Sequence, residues 1–242
     1  MAERKMRLTR EHVDKVVREA CELSHPPVPE GRRFATDEDF AGFVRDILAS
    51  APSPGDVWVF AYGSLIWNPE FDHVEKRMAL VHGWHRSFCL GWDQWFRGSS
   101  ERPGLMLALD RGGQCRGIAF RLPPDAIEAN LDRLVRREML VVPHAFPPRW
   151  VKAKTDEGEL RALTFAMDRK AGAYVGGLPT CDVADALSCA IGPRGSMAEY
   201  LFNTVAHLEE NGIHDAHLWA LQEMVAERIE GVEYINSTQS YN

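Results

Sequence analysis

Between residues 57 and 167 the chain alternates short apolar or aromatic runs with glycine-bearing turns, and one proline-bounded helical stretch interrupts them. Residues 57–62 form a run rich in aromatic and β-branched side chains that stops at Gly63-Ser64, the pattern of a buried strand ending in a tight turn. Further strand-like runs fall around residues 77–90, 105–109, 115–122, 150–153 and 160–167. Asp110-Arg111-Gly112-Gly113 and Asp156-Glu157-Gly158 read as hairpin turns between them. Successive hairpins imply an antiparallel sheet or barrel rather than an alternating α/β fold.

Helices flank this region. Thr9 is placed to cap a helix carrying Val13, Val16, Val17 and Ala20, and Thr36 another carrying Phe40, Phe43, Ile47 and Leu48, with Pro26, Pro27 and Pro29 between them. The breaker Ala51-Pro52-Ser53-Pro54-Gly55 then divides residues 1–55, a helical extension, from residues 56–242, the main domain. At the other end, Ser196 and Glu199 form a capping-box pattern ahead of Leu201, Val205 and Leu208. Gly212 closes that helix, and Leu218, Leu221, Val225 and Ile229 stripe the next.

A chain of 242 residues that is 45% hydrophobic has enough apolar surface for a full core. Its formal charge of -7, with signs interspersed and no basic block, argues against nucleic acid or an anionic membrane as partner and favours a small molecule. No apolar run follows the basic start, so a cytoplasmic location is expected. The five cysteines are scattered and match no disulfide framework or C-x-x-C site, which points to reduced thiols. His214 and His217 lie at a metal-compatible spacing but lack a third ligand nearby, and a surface pair is the simpler reading. Oligomeric state is not encoded legibly.

The interrupting helix is the most informative stretch. Pro123-Pro124 leads into Asp125, an expected N-cap with Glu128 three residues on, and Pro143 stops the helix, giving a span of roughly residues 125–139. Ile127, Leu131, Leu134 and Val135 share one face, whereas Asp132, Arg133, Arg136 and Arg137 lie elsewhere. Glu138 returns to the apolar face, about 20° from Ile127. A carboxylate so placed is costly unless paired, and its desolvation would raise its pKa toward that of a working base. Pairing with Arg136 or Arg137 is an equally direct explanation of the same position.

Several stretches resemble one family. Val59-Phe60-Ala61-Tyr62-Gly63-Ser64-Leu65-Ile66-Trp67, Gly83-Trp84-His85-Arg86-Ser87-Phe88-Cys89-Leu90, Arg102-Pro103-Gly104-Leu105, Gly117-Ile118-Ala119-Phe120-Arg121-Leu122, Arg137-Glu138-Met139 and Gly192-Pro193-Arg194-Gly195 occur in the order found in ChaC-type γ-glutamylcyclotransferases, which act on glutathione. The resemblance covers about residues 57–230. It implies an α+β fold, a small mixed β-barrel with flanking helices, to which this chain adds the N-terminal extension. It further implies that Glu138 is the proton acceptor and that Ala61, Tyr62, Gly63, Ser64, Leu65 and Ile66 hold the γ-glutamyl group. No metal and no cofactor are implied, because the substrate's own amine is the nucleophile. Many relatives carry a tyrosine shortly after the glutamate where this chain reads Val141-Val142-Pro143-His144-Ala145-Phe146. His144 is the polar side chain available in its place. Arg86 and Arg97 are candidates for a substrate carboxylate or for a surface role.

Overall fold

The computed structural model describes residues 5–18, 31–53 and 55–239, with residues 232–239 as helix backbone. In chain order the elements are α1 (Arg10–Arg18), β1 (Arg33–Phe34), α2 (Asp37–Ala49), β2 (Trp58–Ala61), a single 3-10 turn (Ser64–Ile66), β3 (Glu75–Asp93) and β4 (Gly104–Arg121). There follow α3 (Ile127–Glu138), β5 (Val141–Val142), β6 (Pro148–Thr155), β7 (Gly158–Phe165), α4 (Thr180–Cys189), β8 (Ile191–Gly192), β9 (Gly195–Ser196), α5 (Met197–Glu210) and α6 (Ala216–Gln239). The chain divides into two compact units, residues 27–87 with 107–174, and residues 1–26 with 88–106 and 175–242.

The first unit is built on a closed barrel of strand order β2-β4-β3-β6-β7. Its direction is mixed, as the resemblance implies, because β2 runs antiparallel to β4 and parallel to β7. Phe60, Val81, Leu109, Ala119, Val151, Ala153 and Ala162 meet in its interior. Small residues let the strands close: a β-carbon added at Gly117 would stand 2.3 Å from the Ala61 carbonyl oxygen. The Thr164 hydroxyl, fully buried, donates to the Phe60 carbonyl at 2.9 Å and fixes β2 from its other side.

The hairpin turn expected at Asp156-Glu157-Gly158 forms, with a two-residue loop, Asp156-Glu157, closed by the Thr155–Gly158 pair. The turn expected at residues 110–113 does not form; β4 runs straight through it. Gly112 and Gly113 have φ of +108° and +65°, values that let a long strand bulge and coil instead of reversing. Asp110, read as a turn residue, is instead a buried carboxylate. It accepts from Nε and Nη2 of Arg169 at 2.7 and 3.0 Å, from the Tyr174 hydroxyl at 3.0 Å and from the Arg111 amide at 2.7 Å. Burial alone would raise its pKa, but these donors outweigh burial and hold it below the ordinary carboxylate value.

Residues 33–50 pack on the barrel unit. Thr36 caps α2 with a reciprocal box to Asp39, as expected, and Phe40, Val44 and Ile47 are buried. β1 pairs with β5 through Arg33↔Val142 and Phe34↔Val141, and the Ala35 amide donates to the Leu140 carbonyl at 2.9 Å. Arg136 of α3 is bonded to Asp37 at 2.6 Å and lies 4.7 Å over the Phe40 ring. The prolines expected to separate the first two helices fall outside the described residues.

The second unit is helical around short strand segments. Ser196 caps α5 by accepting the Glu199 amide, one half of the expected capping box; α5 ends at Glu210, and Gly212 just beyond it, φ +71°, lets the Ile213 amide return to Leu208. Leu201, Val205, Leu218, Leu221 and Val225 are buried between these helices, as their spacing implies. Arg97, one of the two arginines left open by sequence, is bonded to the Ser196 carbonyl and to Glu199 at 3.0 and 3.3 Å, a structural role. His214 binds Glu209 at 2.7 Å. Among the described residues no helix is long and apolar enough to cross a membrane, and no group of three or more His, Cys, Asp or Glu side chains is arranged to hold a metal ion.

Candidate active site

The N-cap of α3 stands one residue later than expected. Pro123 accepts the Ala126 amide in a turn at 3.0 Å, so Ala126 rather than Asp125 stands at the N-cap, without a side-chain cap. Of the expected apolar stripe, Leu131, Leu134 and Val135 are buried and Ile127 is half-buried. The polar side is also organised. Asn130, Arg133 and Arg137, spaced i, i+3 and i+7, lie along one face and each reaches the segment that follows the Ser64–Ile66 turn.

Asn130 is fully buried; its side chain accepts the Asp72 amide at 2.7 Å and donates to the Ala126 carbonyl at 2.8 Å. Arg133 binds the Asp72 carboxylate. Arg137, its side chain 11% exposed, gathers the rest. Its Nη2 donates to Ser64 Oγ at 2.9 Å, its Nε to Glu138 Oε1 at 3.0 Å, and its Nη1 to the Asn68 carbonyl and to Glu70 at 3.0 Å. Glu70 has φ +56°, a left-handed conformation that costs a residue with a β-carbon about 1 kcal/mol. Its bonds to Arg137 and Asn68 hold it there.

Glu138 is the last residue of α3, its side chain 17% exposed and ion-paired with Arg137. Arg137 therefore links the two halves of the sequence-derived site, one arm on the acid and one on the hydroxyl of the turn. The sequence offered Arg137 as a partner for Glu138, which it is, but not its bond to Ser64. The i, i+3, i+7 spacing of Asn130, Arg133 and Arg137 was the available signal.

The turn itself starts where β2 ends. Ala61 and Gly63 are buried, Leu65 is 7% exposed, and Tyr62, Ser64 and Ile66 are half-buried. Ile66 is the first residue whose amide returns to the turn, donating to the Gly63 carbonyl at 2.9 Å. The Ser64 and Leu65 amides precede that ladder. Arg86, the second arginine left open by sequence, is 7% exposed and donates from Nε to the Tyr62 carbonyl at 2.6 Å and from Nη2 to the Arg116 carbonyl. It anchors the backbone of the turn.

His144 follows β5 and stacks edge-on against Phe43 of α2, ring centroids 5.5 Å apart. Its Nδ1 is buried without a hydrogen-bond partner among the described residues, and burial lowers its pKa from 6.5. The folded protein thus favours the neutral ring. As pH falls through the unfolded value the unfolded chain takes the proton first, so stability declines in that window and levels off below the folded pKa. The His144→Gln variant is expected to lose less in Tm than the parent between about pH 8 and about pH 5.5. Equal losses would assign the acid sensitivity to other groups.

The fold is that of a crystal structure of a γ-glutamyl cyclotransferase specific to glutathione from yeast, matched with a TM-score of 0.64 at 20% identity over 71% of this chain and 96% of that one. Residues 57–228 match the ChaC-like protein family. The glutathione-specific γ-glutamylcyclotransferase of Escherichia coli K12 is 34% identical over 81% of this chain and 83% of its own length. The human glutathione-specific γ-glutamylcyclotransferase 1 is 28% identical over 71% and 79%. The chain belongs to the ChaC-like family.

Proposed function

We propose that this protein degrades glutathione by intramolecular cyclotransfer, releasing 5-oxoproline and cysteinylglycine. The α-amine of the γ-glutamyl residue attacks its own γ-amide carbonyl carbon; the ring C–N bond forms and the C–N bond to cysteine breaks. Glu138 takes the proton from the α-nitrogen and returns it to the departing amide nitrogen. The Arg137 guanidinium, donating to Oε1, orients the carboxyl group for the first of these steps.

The turn from Tyr62 to Ile66, seated on Ala61, holds the γ-glutamyl group. Its small residues and its Ser64 and Leu65 amides suit a carboxylate or a developing oxyanion, and each backbone donor of that kind is worth roughly 3 kcal/mol in the transition state. Holding the substrate bent is the other large contribution, since well-aligned intramolecular attack reaches effective molarities of about 10⁵ M or more. Such chemistry asks for no enzyme nucleophile, metal or redox cofactor. A small-molecule partner and a cytoplasmic location belong to the same reading. So does the division near residue 55, because the family match begins at residue 57.

The observation that carries the proposal is Arg137, bonded at once to Glu138 and to Ser64. The purified protein given glutathione should release 5-oxoproline and cysteinylglycine in equal amounts. Release from other γ-glutamyl amines but not from glutathione would reassign the substrate, and binding without any product would remove the enzymatic reading.

A further inference from the structure

The barrel is not equally well sewn at every seam. β6 pairs with β7 along its whole length, from Pro148↔Phe165 to Thr155↔Gly158, but with β3 only through Leu80↔Lys154 and Val81↔Ala153. Gly83, φ +80°, then turns β3 aside. The strands part, and a cavity of about 570 Å³ opens between His82 and Trp84 on one side and residues 148–152 on the other.

The walls of this cavity carry a marked excess of positive charge. Arg149, Lys152 and Lys154 line it, and Glu159, its acidic lining residue, is bonded to Lys152 at 3.1 Å. Arg149 lies 5.8 Å from the Trp84 ring centroid, and Arg111 lies 5.2 Å from the same ring. Two guanidiniums on one indole repel each other unless an anion joins them. Arg149 Nε is shielded from solvent and has no hydrogen-bond acceptor among the described residues. A buried donor left unmatched is costly and rare, so its presence beside a cavity asks for an acceptor from outside the chain.

We propose that the β3–β6 seam is a binding site for a small, multiply charged oxyanion, with Arg149 as its anchor and Lys152 and Lys154 as its rim. A phosphate ester and a polycarboxylate offer the same oxygens in the same geometry. The site is separate from the Glu138 and Ser64 cluster in its residues, and it does not depend on the reaction assigned to that cluster.

Thermal denaturation of the full-length protein with pyrophosphate or citrate, at matched ionic strength and up to about 10 mM, tests the site. At least one of the two is expected to raise Tm saturably; pyrophosphate alone would indicate a phosphate ester, citrate alone a polycarboxylate. Arg149→Met should fold, because it removes an unmatched buried donor, should turn over glutathione at the parent rate without added anion, and should lose the Tm response. Lys152→Gln with Lys154→Gln, at the exposed rim, should weaken the response about tenfold and carries the test if Arg149→Met does not fold. No saturable response in the parent, or a response unchanged in these variants, overturns the proposal.

Discussion

Replacing Glu138 with Gln is expected to lower kcat for glutathione by about 10²–10⁴-fold, the range over which a positioned acid or base contributes. The amide keeps the shape of the side chain and one acceptor for Arg137, but it does not take a proton. Folding should suffer little, because Arg137 retains Glu70, Ser64 and the Asn68 carbonyl as partners. Steady-state kinetics beside a thermal melt separate the effects. A variant with parental kcat would show that another group removes the proton, and one that fails to fold would make Glu138 a structural ion.

Arg137→Met should damage both stability and turnover. Removing one partner from a largely buried ion pair costs about 3–5 kcal/mol when the other is left stranded, and the 17% exposure of Glu138 puts the expectation toward the lower end. The turn that begins at Ser64 would also lose its tie to α3. A misplacement of about 1 Å between reacting groups costs about 10²-fold, so kcat should fall by that order in the fraction that remains folded. Arg137→Lys, a point charge with no planar fork, should recover part of the stability but little of the rate. Recovery of both by lysine would mean that charge alone, without the fork, organises the site.

What sequence reading captured was local. The Thr36 and Ser196 caps and the buried stripe of Leu131, Leu134 and Val135 depend on neighbours a few positions away, and local pattern reports those directly. The losses came where distant partners decide. Asp110 with its two following glycines carries the local signature of a turn, yet Arg169 and Tyr174 hold it inside a continuous strand. The Arg137–Glu138 pair was legible as one of two readings, but the bonds of Arg137 to Ser64 and to the Asn68 carbonyl were not, because those partners are some seventy positions earlier. The parallel contact of β2 with β7 that makes the barrel mixed is likewise non-local, and the family motifs supplied it where hairpin counting did not.

The segment at residues 33–50 precedes everything the family match covers, yet it supplies the partner strand for the residues just past Glu138 and a carboxylate and ring for Arg136. An expression boundary drawn at residue 57 would leave β5 an unpaired edge and uncover the outer flank of the helix that carries the acid. For this chain the smallest sensible unit for crystallography or mutagenesis begins well ahead of the barrel, at or before Arg33.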